Sequence, residues 1–291
     1  MAKLRTVRVR DRRSFEYVAQ GEGRATLLVH PGGPGYTYHY LRPLLKLANA
    51  HLRVILFNPR GVGKSWAPAR SSAYTVGNMA EDVDALRAAL DIDELHLLGF
   101  SAGGFVALEY AHRYQRHLAS LLLCDTAGSA LEIRQANRLM LWAASSKQRR
   151  QLDEFEKARA FDTKEYADLA EAIAAPFNRR FLSSKNHPDL LASKLSKSVY
   201  RAMMTRTGDE FVVDGTISRW DGRKYYAKIE VPTLVAVGRY DSLLDACREM
   251  ADRIIPAHLR VFPHASHLPH LEQPKEFLNA IREFLLDVTG D

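Results

Sequence analysis

The stretch LHLLGFSAGGFVALEYA, Leu95–Ala111, restricts the fold more than any other part of the chain. An apolar run of strand length enters Gly99-Phe100-Ser101-Ala102-Gly103, and a helical pattern leaves it. A G-x-S-x-G placed between strand and helix makes a turn so sharp that the residues two places from the serine must be small. The same turn lifts the serine hydroxyl above the sheet edge.

The rest of the chain agrees with a sheet of that kind. Short apolar runs at Thr6–Arg10, Phe15–Ala19, Ala25–Val29, Leu52–Phe57, Glu94–Leu98, Ala119–Cys124, Pro232–Val237 and Leu259–Phe262 read as strands. From the third onward most are continuous rather than alternating, the pattern of strands covered on both faces. Helical periodicity fills the gaps at Val76–Leu90, where Met79, Val83, Leu86 and Leu90 share a face, and again at Ala102–Arg113 and Glu276–Leu286. The predicted class is α/β, a mostly parallel, doubly wound sheet. The alternation stops after Cys124. Residues 127–221 carry charged helix formers and no buried strand, and the strand pattern resumes near Val231. The expected organisation is a core from residues 1–126 and 222–291, with a helical cap inserted at 127–221.

Composition excludes several classes. A chain of 291 residues, 46% apolar and 26% charged, suits a soluble globular protein with a large core. The formal net charge of +7 raises the question of nucleic acid. Its basic residues are scattered, however, with runs only at Lys3–Arg13 and Lys147–Arg150, and no stripe of Arg and aromatics tracks a backbone. The N-terminal MAKLRTVRVRDRR lacks the apolar region of a signal peptide, and no run approaches the roughly 18 apolar residues of a membrane span. Cys124 and Cys247 alone make neither a disulfide framework nor a zinc pattern. A cytoplasmic protein is expected, with a small-molecule or short-peptide ligand, no nucleic-acid or membrane partner and no cofactor. Oligomeric state is not legible.

A serine on such a turn needs a base to take its proton and an acid to orient the base, in the chain order serine, acid, histidine for this architecture. After the cap, PTLVAVGRYDSLLD reads as a buried strand ending in a turn at Asp241, and LRVFPHASHLPHLEQP as a strand followed by a histidine-bearing loop. Asp241 and His267 thus fall past the C-terminal ends of two late strands, the edge along which open α/β sheets bind ligands. Alternatives stand beside them. Asp125 follows the strand ending at Cys124, Asp245 falls in the next helix, and His264 and His270 flank His267 at three-residue spacing. An H-x-x-H-x-x-H run could suggest a metal, but Pro269 interrupts a helix there and no carboxylate pair completes a site, so none is expected. Gly61–Ser65 ends in GKS after a strand, yet Asn58 stands where a P-loop needs its first glycine and Trp66-Ala67-Pro68 cannot open a helix.

Together these pieces resemble the α/β-hydrolase family, and within it the proline iminopeptidase-like branch of serine peptidases. The resemblance rests on five ordered segments: Gly32-Gly33-Pro34-Gly35, Asn58–Ser65, Gly99–Gly103, Gly238–Asp241 and Ser266–Pro274. It implies Ser101 as nucleophile, Asp241 as acid, His267 as base, and the backbone N–H groups of Gly33 and Ala102 as an oxyanion hole. The insertion would roof the site and set specificity. The implied activity is acyl-enzyme hydrolysis of a small ester or amide, with aminopeptidase action of the proline iminopeptidase type foremost. Esterase or lactonase action on small metabolites is the alternative, and a non-catalytic ligand receptor on the same fold represents a different class. Three departures stand out. Pro31 occupies the position of the family histidine, with His30 one step earlier; Asn58 replaces an Asp; and Ser242 follows Asp241 where some members carry Glu. The branch binds a free amine through acidic cap side chains. Glu132, Glu154, Glu156, Glu171 and Glu210 are the candidates here, each expected to decorate a helix surface.

Overall fold

A basic hairpin opens the chain, with β1 (Arg5–Arg8) antiparallel to β2 (Ser14–Gln20) across a turn in which Arg12 takes a φ of 70°. The structure is a computed structural model describing residues 3–182 and 187–290; of the expected boundaries, residues 1, 2, 183–186 and 291 lie outside the described residues. The apolar runs then become β3 (Ala25–His30), β4 (Leu52–Phe57), β5 (Leu95–Phe100), β6 (Leu118–Cys124), β7 (Thr233–Gly238) and β8 (Ala257–Phe262). These form one sheet in the order β1-β2-β4-β3-β5-β6-β7-β8. The β2–β4 pair is antiparallel like the hairpin, and every pairing from β4 to β8 is parallel.

The continuous runs follow from burial on both faces. Leu27, Val29, Leu98, Phe100, Leu122 and Leu234 pack on one side, while the intervening Leu28, Leu97, Leu121, Leu123 and Val235 pack on the other. The second face is covered by α1 (Val76–Ala89), α2 (Ala102–Tyr114) and α8 (Leu244–Arg253). The first is covered by the 3-10 run Tyr38–Leu47 and by α10 (Pro274–Thr289), which follows the short α9 (Pro269–Glu272). Strand β5 runs to Phe100, two residues beyond the sequence expectation. Gly99 and Phe100 continue to pair with Leu123 and Cys124, and this carries the strand up to the serine.

Between β6 and β7 the described residues are helical: α3 (Ala130–Ala143), α4 (Ser146–Ala158), α5 (Lys164–Asn178), α6 (Pro188–Ala192) and α7 (Lys197–Met203). Local sequence starts three of them. Ser129, Ser145 and Thr163 cap α3, α4 and α5 by accepting the backbone N–H of Glu132, Gln148 and Tyr166. Gln148 completes a capping box on α4. The segment reaches back to the sheet edge at Leu195, which bridges Tyr36 in the loop after β3.

Candidate active site

Ser101 sits between β5 and α2 with φ 52° and ψ −123°, a conformation that costs an L-residue roughly 1–3 kcal/mol. The neighbouring strand holds it there. Ser101 N–H donates to Cys124 O at 2.8 Å, and Thr126 Oγ1–H donates to Ser101 O at 2.6 Å. Glycine is obligatory at position 103, because a Cβ would lie 2.2 Å from His30 O.

The loops after β7 and β8 supply the partners. Asp241 accepts Leu243 N–H through Oδ1 at 3.0 Å and meets His267 Nδ1 through Oδ2 at 2.8 Å. His267 Nε2 lies 3.0 Å from Ser101 Oγ. An ionised carboxylate only accepts, so Nδ1 carries the hydrogen and the Nε2 lone pair faces the serine hydroxyl. Burial disfavours the His267 cation, but the Asp241 charge and hydrogen bond, with Glu272 beyond, outweigh it and raise the imidazole above its ordinary value. The loop itself is pinned from below and above. Ser266 N–H and Oγ–H donate to the Glu272 carboxylate at 2.5 and 2.9 Å, and His267 N–H donates to Phe177 O on α5 at 3.0 Å.

The loop after β3 closes the site on its other side. Gly33 takes a φ of 119°, a left-handed conformation suited to glycine, and lines the same cavity as Ser101. Gly32 N–H is already taken by Tyr40 Oη at 2.7 Å. Ala102 opens α2, where the first N–H groups have no intrahelical acceptor. His30 lies buried beneath this loop with Nδ1 2.8 Å from Pro31 O, and burial pulls its pKa down to about 4. Asn58, in place of the family Asp, accepts Tyr38 N–H and donates to Glu16. Lys64 and Ser65 are held in that same turn by Glu16 and Asn58, a structural tie rather than a phosphate cradle.

The alternatives separate cleanly. Asp245 is solvent-exposed and paired with Arg248. His264 is exposed, with its ring against Phe181. His270 is fully buried, 3.1 Å from Tyr40 O, and burial pushes its pKa down to about 3. Asp125 is fully buried beside the site, and its carboxylate, that of Asp241 and a His267 nitrogen lie within 4.8 Å of one another. Each of the three offers a single ligand atom, and the Asp241–His267–Ser101 chain already uses two of them.

Above Ser101 and His267 lies a cavity of about 650 Å³ roofed by α3, α5 and α7. The helix-surface expectation fails for Glu132, which is buried, and the cavity walls refine it for two other acids. Glu154 and Glu156 are exposed on α4, and Glu132 is buried, accepting Gly128 N–H and Ser129 Oγ–H. Glu171 and Glu210, in contrast, line the cavity, where only the fold could bring them. Glu210 meets cavity solvent but is walled by protein, and that desolvation raises its carboxyl against the opposing hydrogen bond from Tyr200 Oη–H at 2.5 Å. Glu171 forms an ion pair with Arg179 at 2.5 Å. Tyr36, Tyr40, Asn137 and Tyr200 also line the cavity, and sequence reasoning missed all four because none belongs to a spaced motif.

The family profile described as the alpha/beta hydrolase fold matches residues 25–274. The proline iminopeptidase of Levilactobacillus brevis is 30% identical over 281 residues, covering 91% of this chain and 90% of that protein. That of Saccharolobus solfataricus is 29% identical over 275 residues, covering 92% and 87%. The crystal structure of the proline iminopeptidase of Mycobacterium smegmatis superposes with a TM-score of 0.86 at 26% identity, covering 99% of this chain and 100% of that one.

Proposed function

The chain belongs to the alpha/beta hydrolase fold family, on its proline iminopeptidase-like branch, and is a serine hydrolase; from that premise we propose that it is an aminopeptidase, cleaving an amide after a residue with a free amine. Ser101 Oγ attacks the carbonyl carbon while His267 Nε2 takes its proton, and Asp241 holds the Nδ1–H tautomer and stabilises the imidazolium. The N–H groups of Gly33 and Ala102 receive the oxyanion, a contact worth about 3–4 kcal/mol per donor because it strengthens in the transition state. His267 then returns the proton to the leaving amine, and water repeats the cycle on the acyl-enzyme.

Residues 127–221 act as a cap in this reading, and the observation that carries it is Glu210. A carboxylate in a cavity shared with the nucleophile, already polarised by Tyr200, offers an ammonium group an electrostatic partner. The test compares prolyl and alanyl arylamides with their N-acetylated forms and with p-nitrophenyl esters. Free-amine arylamides are expected to turn over at least tenfold faster than the acetylated ones. Equal turnover of both forms would refute amine recognition. Ester-only turnover would instead favour an esterase or lactonase, a reading supported by the Arg179 charge in the cavity and its alanine and leucine walls. Among the described residues no helix is long and apolar enough to cross a membrane. Both cysteines are free and buried, which fits the reducing cytoplasm as the place of action.

A further inference from the structure

Asp125 is a second carboxyl group buried behind the first, and the reaction described above does not use it. It follows β6 with a positive φ of 47°, and no part of it reaches solvent. Its Oδ1 accepts Gly238 N–H at 3.0 Å, but its Oδ2 has no hydrogen-bond donor among the described residues. An ionised oxygen stranded in that position would be costly. As an acid, the same oxygen becomes a donor, and the Asp241 carboxylate is the acceptor beside it. We propose that Asp125 is a protonated positioning residue: it donates a hydrogen bond to Asp241 in the resting enzyme and is a reserve acceptor for His267 Nδ1–H. The inference rests on the serine hydrolase reading of Ser101, Asp241 and His267.

The charged and titratable groups around the pair are consistent with this assignment. Asp241 on the loop after β7 and Glu272 on α9 face it, and Cys124 and Cys247 lie close by; none of these four is a cation, and His267, with a ring nitrogen within 4.8 Å, is paired through Nδ1 with Asp241. Burial first and the Asp241 charge second raise the Asp125 carboxyl well above its ordinary value. His267 senses Asp241 and Glu272, and its own charge in turn lowers the pKa of the neighbouring His270. If the Asp241 carboxylate is removed, Asp125 releases its proton to solvent, and its carboxylate, one oxygen of which lies within 4.8 Å of a His267 ring nitrogen, takes over the Nδ1–H.

The experiment uses four variants of the full chain: Asp125→Asn, Asp125→Ala, Asp241→Ala and the double variant Asp125→Asn with Asp241→Ala. The acidic limb of the kcat/KM profile reports the His267 pKa. Asp125→Asn keeps a neutral donor to Asp241, so the limb is expected to stay in place. Asp125→Ala leaves the Asp241 charge undivided, and the limb moves to higher pH. A fall of about one unit or more in Asp125→Asn would show that an ionised group had been removed and would overturn the proposal. Asp241→Ala is expected to lose roughly 10²-fold in kcat, and the double variant to approach the ~10⁴-fold loss of a triad without its acid. Equal losses in the two would overturn the reserve role. The near-isosteric Asp125→Asn tests the proton even where Asp241→Ala folds poorly. Ester turnover that survives Ser101→Ala would signal a failure of the underlying serine hydrolase reading instead.

Discussion

Replacing Tyr40 by Phe removes one oxygen and tests how the loop carrying Gly33 is held. The ring is buried, edge-on to Phe100 with centroids 5.6 Å apart, and tilted against His270 at 5.7 Å; Phe preserves both contacts. What disappears is the acceptor for Gly32 N–H, 2.7 Å away. A buried amide left without a partner costs about 1–3 kcal/mol, which in a chain of 291 residues lowers Tm by roughly 2–5 °C. Gly32 adjoins the proposed oxyanion donor, so the stranded amide relaxes by moving Gly33. Full loss of one such donor costs about 10²–10³-fold in kcat. A displaced but present donor is expected to cost about tenfold, or ~1.4 kcal/mol. KM should hold, because the oxyanion contact forms only in the transition state. Steady-state kinetics on an arylamide and a p-nitrophenyl ester, with a melting curve on the same sample, read all three quantities. A lowered Tm with kcat unchanged on both substrates would refute the link from Tyr40 through Gly32 to catalysis. A raised KM at constant kcat would place Tyr40 in substrate binding instead.

Glu210→Gln should raise KM for a free-amine arylamide about 10–100-fold, the value of a charged hydrogen bond, and leave KM for an amine-free ester unchanged; steady-state kinetics on the two substrates decide it. In the proposed mechanism His267 acts as a base when neutral, so kcat/KM should fall as pH drops through its raised pKa. Glu272→Gln, which removes one charge that raises it, should shift that limb to lower pH. Gly103→Ala should abolish fluorophosphonate labelling, since the added Cβ meets His30 O at 2.2 Å and backbone cannot yield; a labelled, folded variant would contradict the packing of this turn. His30, His96 and His270 are buried neutral, with pKa values near 4, 4 and 3. Above pH 6.5 folded and unfolded states are both neutral there; below it only the unfolded chain gains protons. Stability should therefore fall between pH 6.5 and about 4, by about 2 kcal/mol per histidine from pH 7 to 5. Asp125 acts in the opposite sense, so the measurement is the difference in urea midpoints between wild type and His96→Asn, whose pH slope should be flatter.

The sheet and its reacting edge were legible because their signals are local. A strand buried on both faces must be apolar throughout, which is why β3, β5, β6 and β7 declared themselves as short continuous runs. Ser101 directly follows β5, Asp241 lies in the turn after β7, and His267 lies in the loop after the more exposed edge strand β8; the geometry brings those three residues into one hydrogen-bonded chain. His264, His267 and His270 show the limit of that reasoning. Their three-residue spacing is symmetrical in sequence, and only the fold turns one to the serine, one to solvent and one into the core against Tyr40.

The acids that line the cavity, Glu171 and Glu210, were illegible for a physical reason. A helix that lines an open cavity presents the same mixture of alanine and charge as a helix facing bulk solvent. Along α5, Glu165 and Glu171 are indistinguishable by pattern, yet Glu171 and the alanines at 167, 170, 174 and 175 face the cavity. Glu210 lies in a turn with no periodicity at all, and its position depends on Tyr166, whose Oη accepts Glu210 N–H at 2.8 Å from a different helix. The position of Glu210, the proposed amine partner, is therefore set by contacts between segments that are far apart in the chain. Tyr166→Phe is the change that tests it: the ring stays, Glu210 N–H loses its acceptor, and the carboxylate shifts. Free-amine arylamide KM should rise several-fold while ester KM and kcat hold, and an equal change on both substrates would show that Glu210 has no part in amine recognition.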